Sequence, residues 1–141
     1  MQIPEARELF IEKFTVNVTE MFREPYCFNI VRQKVLPRLK QKEQINIWCA
    51  GCSTGEEVLS LCILLEEQGL LDRAVITATD LSRSALKKAQ KASYPTSYLN
   101  GFHQAYHRSG GKNTLSDYYI LNGDWASFDP QLTRQVYYSG K

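Results

Sequence analysis

Three features of this 141-residue sequence could do chemistry together: a glycine turn at Gly51, an acid at Asp80, and the adjacent acids Glu56 and Glu57. Ile45-Asn46-Ile47-Trp48 suits a strand, and Gly51 then permits a positive φ or a close backbone approach. Val58, Leu61, Cys62 and Leu65 follow at helical spacing. A strand–turn–helix unit leaves backbone N–H groups and the positive end of a helix dipole at the carboxyl edge of a sheet. Open α/β sheets hold nucleotide-like ligands there. Asp80 ends the next apolar run, Ala74-Val75-Ile76-Thr77-Ala78-Thr79, where a carboxylate can accept hydrogen bonds from two ribose hydroxyls. Its plainer role is to cap the helix that follows.

Ser53 with Glu56 and Thr54 with Glu57 both fit a capping box at the helix entrance. Successive acids cannot face the same way on a helix. The one turned to the sheet edge could meet a ligand's ammonium group, and the other is then a cap residue. No Gly-Lys-Ser/Thr follows the turn, so it is not a P-loop, and the absence of Gly-x-Gly-x-x-Gly disfavours a dinucleotide. Arg23, between Phe22 and Pro25, is either a surface partner of Glu20 or Glu24 or an inward-held orienting cation.

Cys49 and Cys52 form a Cys-x-x-Cys at the end of the strand. The sequence has no second Cys-x-x-Cys, and its His103-x-x-x-His107 pair lies about 50 positions beyond Cys52, far outside zinc-finger spacing, so no metal is expected. A thioredoxin-like oxidoreductase is the competing enzyme reading, with Pro95 at a suggestive distance. It requires a low-pKa thiolate at Cys49 and an extended segment before Pro95, whereas Ala85 to Ser93 reads as helix. Cys62 lies on an apolar helix face and reads as core.

The elements that must position these residues follow in order. Residues 1–44 read as a helical lead-in, with a short amphipathic helix from Pro4 to Phe14. A second near-helical pattern of Phe28, Val31, Val35, Leu36 and Leu39 is interrupted at Pro37. Residues 45–93 read as β-α-β-α, with Gly69 ending the first helix and Ser82 to Ala92 forming the second. Apolar strands joined this way imply a parallel sheet, and hence an α/β fold. Residues 94–141 carry turn signals at Tyr94-Pro95, Asn100-Gly101, Gly110-Gly111 and Asn122-Gly123, with short strands at Asp117 to Leu121 and Gln135 to Ser139. All three segments fit one domain. Between Ser82 and Ser116 there is no Asp or Glu, only Arg83, Lys87, Lys88, Lys91, Arg108 and Lys112 with His103 and His107.

Asn17-Val18-Thr19-Glu20-Met21-Phe22-Arg23-Glu24-Pro25, Val35-Leu36-Pro37, Ile47-Trp48-Cys49-Ala50-Gly51-Cys52-Ser53-Thr54-Gly55-Glu56-Glu57 and Ala78-Thr79-Asp80-Leu81-Ser82 form four ordered blocks. Together they resemble the chemotaxis receptor methyltransferases of the CheR family. The resemblance implies a Rossmann-like class I methyltransferase sheet, truncated, with a small β-subdomain-like insertion beginning at residue 94. It implies S-adenosylmethionine as cofactor, and methyl-ester formation on glutamates of the receptors' cytoplasmic, glutamate-rich helices. By position it assigns Asn17, Thr19, Arg23, Ala50, Gly51, Glu57, Asp80 and Leu81 to the cofactor. Asp80 would hold the ribose, Leu81 the adenine and Glu57 the methionine end, with Arg23 at the methyl-transfer point as the catalytic residue. Val58-Leu59 replaces the family's Pro-Tyr. The family's amino-terminal helical domain and later strands are not represented in the chain. This leaves a non-catalytic, cofactor-binding remnant as the alternative, and predicts self-association through an open sheet edge.

Composition adds only bounds. A net charge of +2 and 43% hydrophobic residues suit a globular domain and indicate no nucleic-acid partner. No apolar run approaches the ~20 residues that span a bilayer, so no membrane insertion and a cytoplasmic location are expected.

Overall fold

Strands β1 (Ile45–Ala50) and β2 (Ala74–Thr79) pair in parallel, Ile45 opposite Ala74 and Ala50 opposite Thr79. Strand β6 (Val136–Ser139) adds in parallel to the other side of β2, giving the order β1-β2-β6. These come from a computed structural model, which describes residues 20–140. The expected helix from Pro4 to Phe14 lies outside them.

The period-two alternation of strands divides this sheet into unequal faces. Ile45, Cys49, Ala74, Ile76 and Ala78 are buried on one face, with Ile47, Val136 and Tyr138 packed around them. The helix after β1, α3 (Glu56–Glu67), buries Val58, Leu59, Cys62, Ile63, Leu64 and Leu65 in the same core. Each fully buried aliphatic side chain of this kind contributes about 1.5–3 kcal/mol. Gln68 caps α3, and Gly69 at φ +69° follows, as its position in the sequence predicts. On the opposite face Trp48 is 71% and Tyr137 61% exposed, and the Trp48 indole N–H donates to Thr79 Oγ1 at 3.0 Å. Among the described residues no strand pairs with the outer edge of β1.

Helix α4 (Arg83–Lys91) follows β2, with Ala85, Leu86 and Ala89 inward. It ends at Lys91, one residue before the end that the sequence pattern indicates. Ala92 takes a left-handed conformation (φ 51°), and Ser93 opens strand β3 (Ser93–Pro95). Tyr94-Pro95 is therefore strand rather than turn, because Tyr94 pairs with Ala126 of strand β5 (Trp125–Phe128). Strand β4 (Tyr119–Asn122) pairs with the other side of β5, completing a three-stranded antiparallel sheet. A second revision concerns Asn100-Gly101, which lies inside helix α5 (Leu99–Arg108). Burial of Phe102 and Tyr106 outweighs the poor helix propensity of that pair.

The lead-in is helical across Pro37, contrary to the expected interruption. Helix α1 (Pro25–Ile30) passes through a π turn (Val31–Val35) into α2 (Leu36–Leu39), with Pro37 in the first turn of α2. The wider turn absorbs the hydrogen bond that proline cannot donate. It also carries Arg32, which is buried, ion-paired with Glu67 and donates from Nε to the Ser109 carbonyl at 2.9 Å. The Tyr106 hydroxyl donates to the same Glu67 carboxylate. This buried pair is thus hydrogen-bonded on both sides, the condition under which burial of charge is tolerated. It ties the lead-in to α3 and α5.

Candidate functional site

The turn between β1 and α3 is held in an unusual backbone path. Gly51, Ser53 and Gly55 all have positive φ, at 69°, 51° and 92°. A left-handed serine costs on the order of 1 kcal/mol or more, so other contacts must hold it. Those contacts come from the end of β2. Cys52 N–H donates to the Thr79 carbonyl at 2.9 Å, and Ser53 N–H donates to Asp80 Oδ2 at 2.8 Å. Asp80 Oδ1 accepts from Ser82 N–H at 2.8 Å, while Ser82 Oγ accepts from Ala85 N–H and is the cap of α4. Asp80 therefore braces both loops at the carboxyl edge, and the capping of α4 falls to Ser82. Asp80 is itself 7% exposed, so only a small part of it reaches the surface of this edge.

Neither capping box forms at α3. Gly55 is the N-cap, its left-handed conformation displaces Ser53 and Thr54 from that position, and no side chain caps the helix. The Thr54 hydroxyl donates to the Glu56 carboxylate instead.

The two acids diverge as helical geometry requires. Glu56 is 3% exposed, and desolvation pushes its carboxyl above the usual range. Glu57 is exposed, and its carboxylate adds to the burial that raises the thiols of Cys49 and Cys52. Beside Asp80, Leu81 is 56% exposed and Ala50 and Gly51 are open to solvent. A Cβ added at Gly51 would meet nothing within 4 Å. The edge thus combines an open turn, a mostly buried carboxylate at Asp80 that braces it, and the exposed Leu81 next in the chain.

A model of the CheR methyltransferase SAM-binding domain matches residues 17–126, most of the chain. The chain belongs to that family. Its relatives include the Cher3 protein of Pseudomonas putida, 39% identical over 126 residues, which are 89% of this chain and 46% of that protein. Chemotaxis protein methyltransferase 1 of Pseudomonas aeruginosa is 38% identical over 99 residues, 64% of this chain and 36% of the relative. The chemotaxis protein methyltransferase of Borreliella burgdorferi is 38% identical over 95 residues, 60% and 34% respectively. The chain therefore spans less than half the length of these relatives.

The family's cofactor, S-adenosylmethionine, suits the donor set at this edge. Carboxylates at Asp80 and Glu57 match two hydroxyls and an ammonium, Leu81 offers an apolar surface, and the space above Gly51 admits close approach. Of the residues assigned by resemblance, Ala50 ends β1, Gly51 opens the turn, Glu57 lies in the first turn of α3, and Asp80 and Leu81 follow β2, whereas Asn17 and Thr19 lie outside the described residues. The Arg23 side chain is exposed rather than held inward, and the inward residue is Phe22, fully buried. Phe22 N–H donates to Ser60 Oγ at 2.8 Å, and Ser60 Oγ donates to the Glu56 carbonyl at 2.7 Å. Arg23 is thereby fixed one residue from an anchor on the first turns of α3.

The thioredoxin-like reading fails on the thiols. Cys49 and Cys52 are buried, and desolvation pushes them up to about 12 and about 11, the reverse of an activated thiolate. Among the described residues no group of three His, Cys, Asp or Glu could hold a metal, and no helix is long and apolar enough to cross a membrane.

On the other flank of the turn lies a cavity of about 1000 Å³. Thr54, Glu56 and Tyr94 contribute to it, with Lys88 and Lys91 from α4 and Trp125 from β5. Its lining does not include Asp80, Glu57 or Gly51, so it is a separate concavity beside the crevice. Sequence reasoning missed it, along with the Arg32–Glu67 pair and Tyr94. Each depends on contacts between segments far apart in the chain.

Proposed function

We propose that this domain binds S-adenosylmethionine in the crevice of Asp80, Gly51 and Glu57 and serves methyl-ester formation on glutamate side chains of chemotaxis receptors. The observation that supports the reading is the bracing of the Gly51 turn by Asp80 and the end of β2, with exposed Leu81 next to Asp80. The cofactor supplies a methyl group on a sulfonium. A glutamate carboxylate oxygen forms the new bond to carbon, the C–S pair returns to sulfur, and no proton need move. Such a reaction asks the protein for positioning and exclusion of water more than for a base. Arg23, on the flank of α3, is assigned to orienting the acceptor or cofactor carboxylate. The acid-free stretch from Arg83 to Lys112, with Lys87, Lys88 and Lys91 exposed, supports an acidic partner, whose attraction should weaken with salt.

A second reading, a non-catalytic cofactor-binding domain, is favoured by one observation. The sheet face bearing Trp48 and Tyr137 and the outer edge of β1 are uncovered among the described residues. An unpaired edge also favours concentration-dependent self-association.

The experiment is transfer of labelled methyl from S-adenosylmethionine to a receptor fragment by the purified chain, with a glutamine-substituted fragment as control. Base-labile label on the glutamate form alone is expected, at a rate orders of magnitude below a full-length relative because of the open face. Cofactor binding with no transfer would select the second reading, and base-stable label would contradict glutamate esterification.

A further inference from the structure

We propose that Tyr94 is a positioning residue for the cofactor turn: its hydroxyl fixes the Thr54 carbonyl and so ties the crevice to the antiparallel sheet. The inference rests on the cofactor reading for its consequence, but its geometry stands apart from it. Tyr94 Oη donates to the Thr54 carbonyl at 2.6 Å across 40 positions of sequence. The ring is 3% exposed and set edge-on against Phe102 and Phe128, with centroids 5.9 and 6.0 Å away. Backbone pairing of Tyr94 with Ala126 fixes the strand that carries it. A side chain clamped at ring and backbone has little freedom at its tip, so the hydroxyl acts as a fixed post.

The turn needs such a post. Ser53 and Gly55 are left-handed on either side of Thr54, and α3 has no side-chain cap. The Cys52 and Ser53 N–H groups hold the near side of the turn to the end of β2. On the far side the backbone is held by Tyr94. There is no slack between these parts. A Cβ at Gly55 would lie 2.9 Å from Ala89 Cα and 3.2 Å from Tyr94 Oη. Burial pushes the Tyr94 hydroxyl well above the ordinary phenol range, so the donor stays protonated at any working pH.

Without the hydroxyl, the Thr54 carbonyl can turn into the neighbouring cavity, and the N–H groups of the turn lose their fixed direction. Cofactor affinity should fall even though the ring still packs.

The test compares Tyr94→Phe with Tyr106→Phe, a second buried tyrosine whose hydroxyl bonds Glu67 away from the turn. Two readouts are taken on the full chain: affinity for S-adenosylhomocysteine by calorimetry, and amide hydrogen exchange at Gly55, whose N–H donates to the Cys52 carbonyl. Tyr94→Phe should weaken binding about fivefold or more and speed Gly55 exchange about tenfold, with the slowest core amides unchanged. Tyr106→Phe should move the melting temperature without either change. If Gly55 exchange and affinity in Tyr94→Phe match the parent, the positioning role is wrong. If the parent binds no S-adenosylhomocysteine, the cofactor reading fails, and Gly55 exchange alone still decides the role of Tyr94. An exchange rate that rises equally in both variants would mean a general loosening and would overturn the proposal.

Discussion

Glu56 and Glu57 are neighbours of identical chemistry, yet the first turn of α3 gives them opposite surroundings. Glu57 is exposed to solvent in the first turn of α3. Glu56 turns to the cavity beside α4, is nearly sealed from water and takes the Thr54 hydroxyl. Under the proposed cofactor reading, the contrast separates a ligand-facing carboxylate from a structural one. An acid poised for a cationic ligand stays solvated until the ligand arrives. An acid that braces a turn is desolvated in advance, and its ionisation is opposed.

The strongest way to break the contrast is to disturb the glycine between the two flanks. Gly55→Ala puts a Cβ against Ala89 backbone at 2.9 Å in a φ +92° conformation. It should destabilise by about 2–4 kcal/mol, the range for left-handed strain combined with overpacking. Urea unfolding would measure this, and cofactor affinity should fall in the same variant because the turn cannot keep its path.

Glu57→Gln and Glu56→Gln sharpen the contrast. Glu57→Gln should leave the urea midpoint unchanged and weaken cofactor binding by about 1.5–3 kcal/mol, the loss of a charged hydrogen bond. Glu56→Gln should leave binding within twofold but change the response of stability to pH. Because the folded-state pKa of Glu56 is raised, the unfolded chain loses this proton first as pH rises. Stability is therefore greatest below the unfolded carboxylate pKa and falls as pH rises through the raised folded value. Glutamine mimics the protonated acid, so the variant should lose that decline and be more stable than the parent at neutral pH. Urea midpoints from acid to neutral pH would show it. Equal effects of the two substitutions on binding would erase the distinction.

What was legible in the sequence differs between the two flanks for a physical reason. The crevice side is built from consecutive strand and turn residues, so Ile45 to Glu57 and Ala74 to Asp80 announce it locally. The divergence of the two acids also follows from helical geometry alone. The cap was misread because Ser53 and Thr54 suit an N-cap by type, whereas the left-handed Gly55 moves the helix start past them. The cavity side is assembled by Tyr94, Phe102 and Trp125 from separate elements, and its helix α5 contains Asn100-Gly101, which reads as a turn. Leu99, Phe102 and Tyr106 did carry a helical spacing that could have found it. The buried Arg32 had no local signal, since its partners Glu67 and Ser109 come from distant segments.

The central claim is that Asp80 and the Gly51 turn form the cofactor site. It is tested most directly by calorimetric titration of S-adenosylhomocysteine into the parent chain and Asp80→Ala, with circular dichroism melts to verify that both are folded. The account predicts saturable binding by the parent and a loss of roughly 1.5–3 kcal/mol, about tenfold to a hundredfold, in the variant. Equal affinity in two folded proteins, or no binding by the parent, would contradict it.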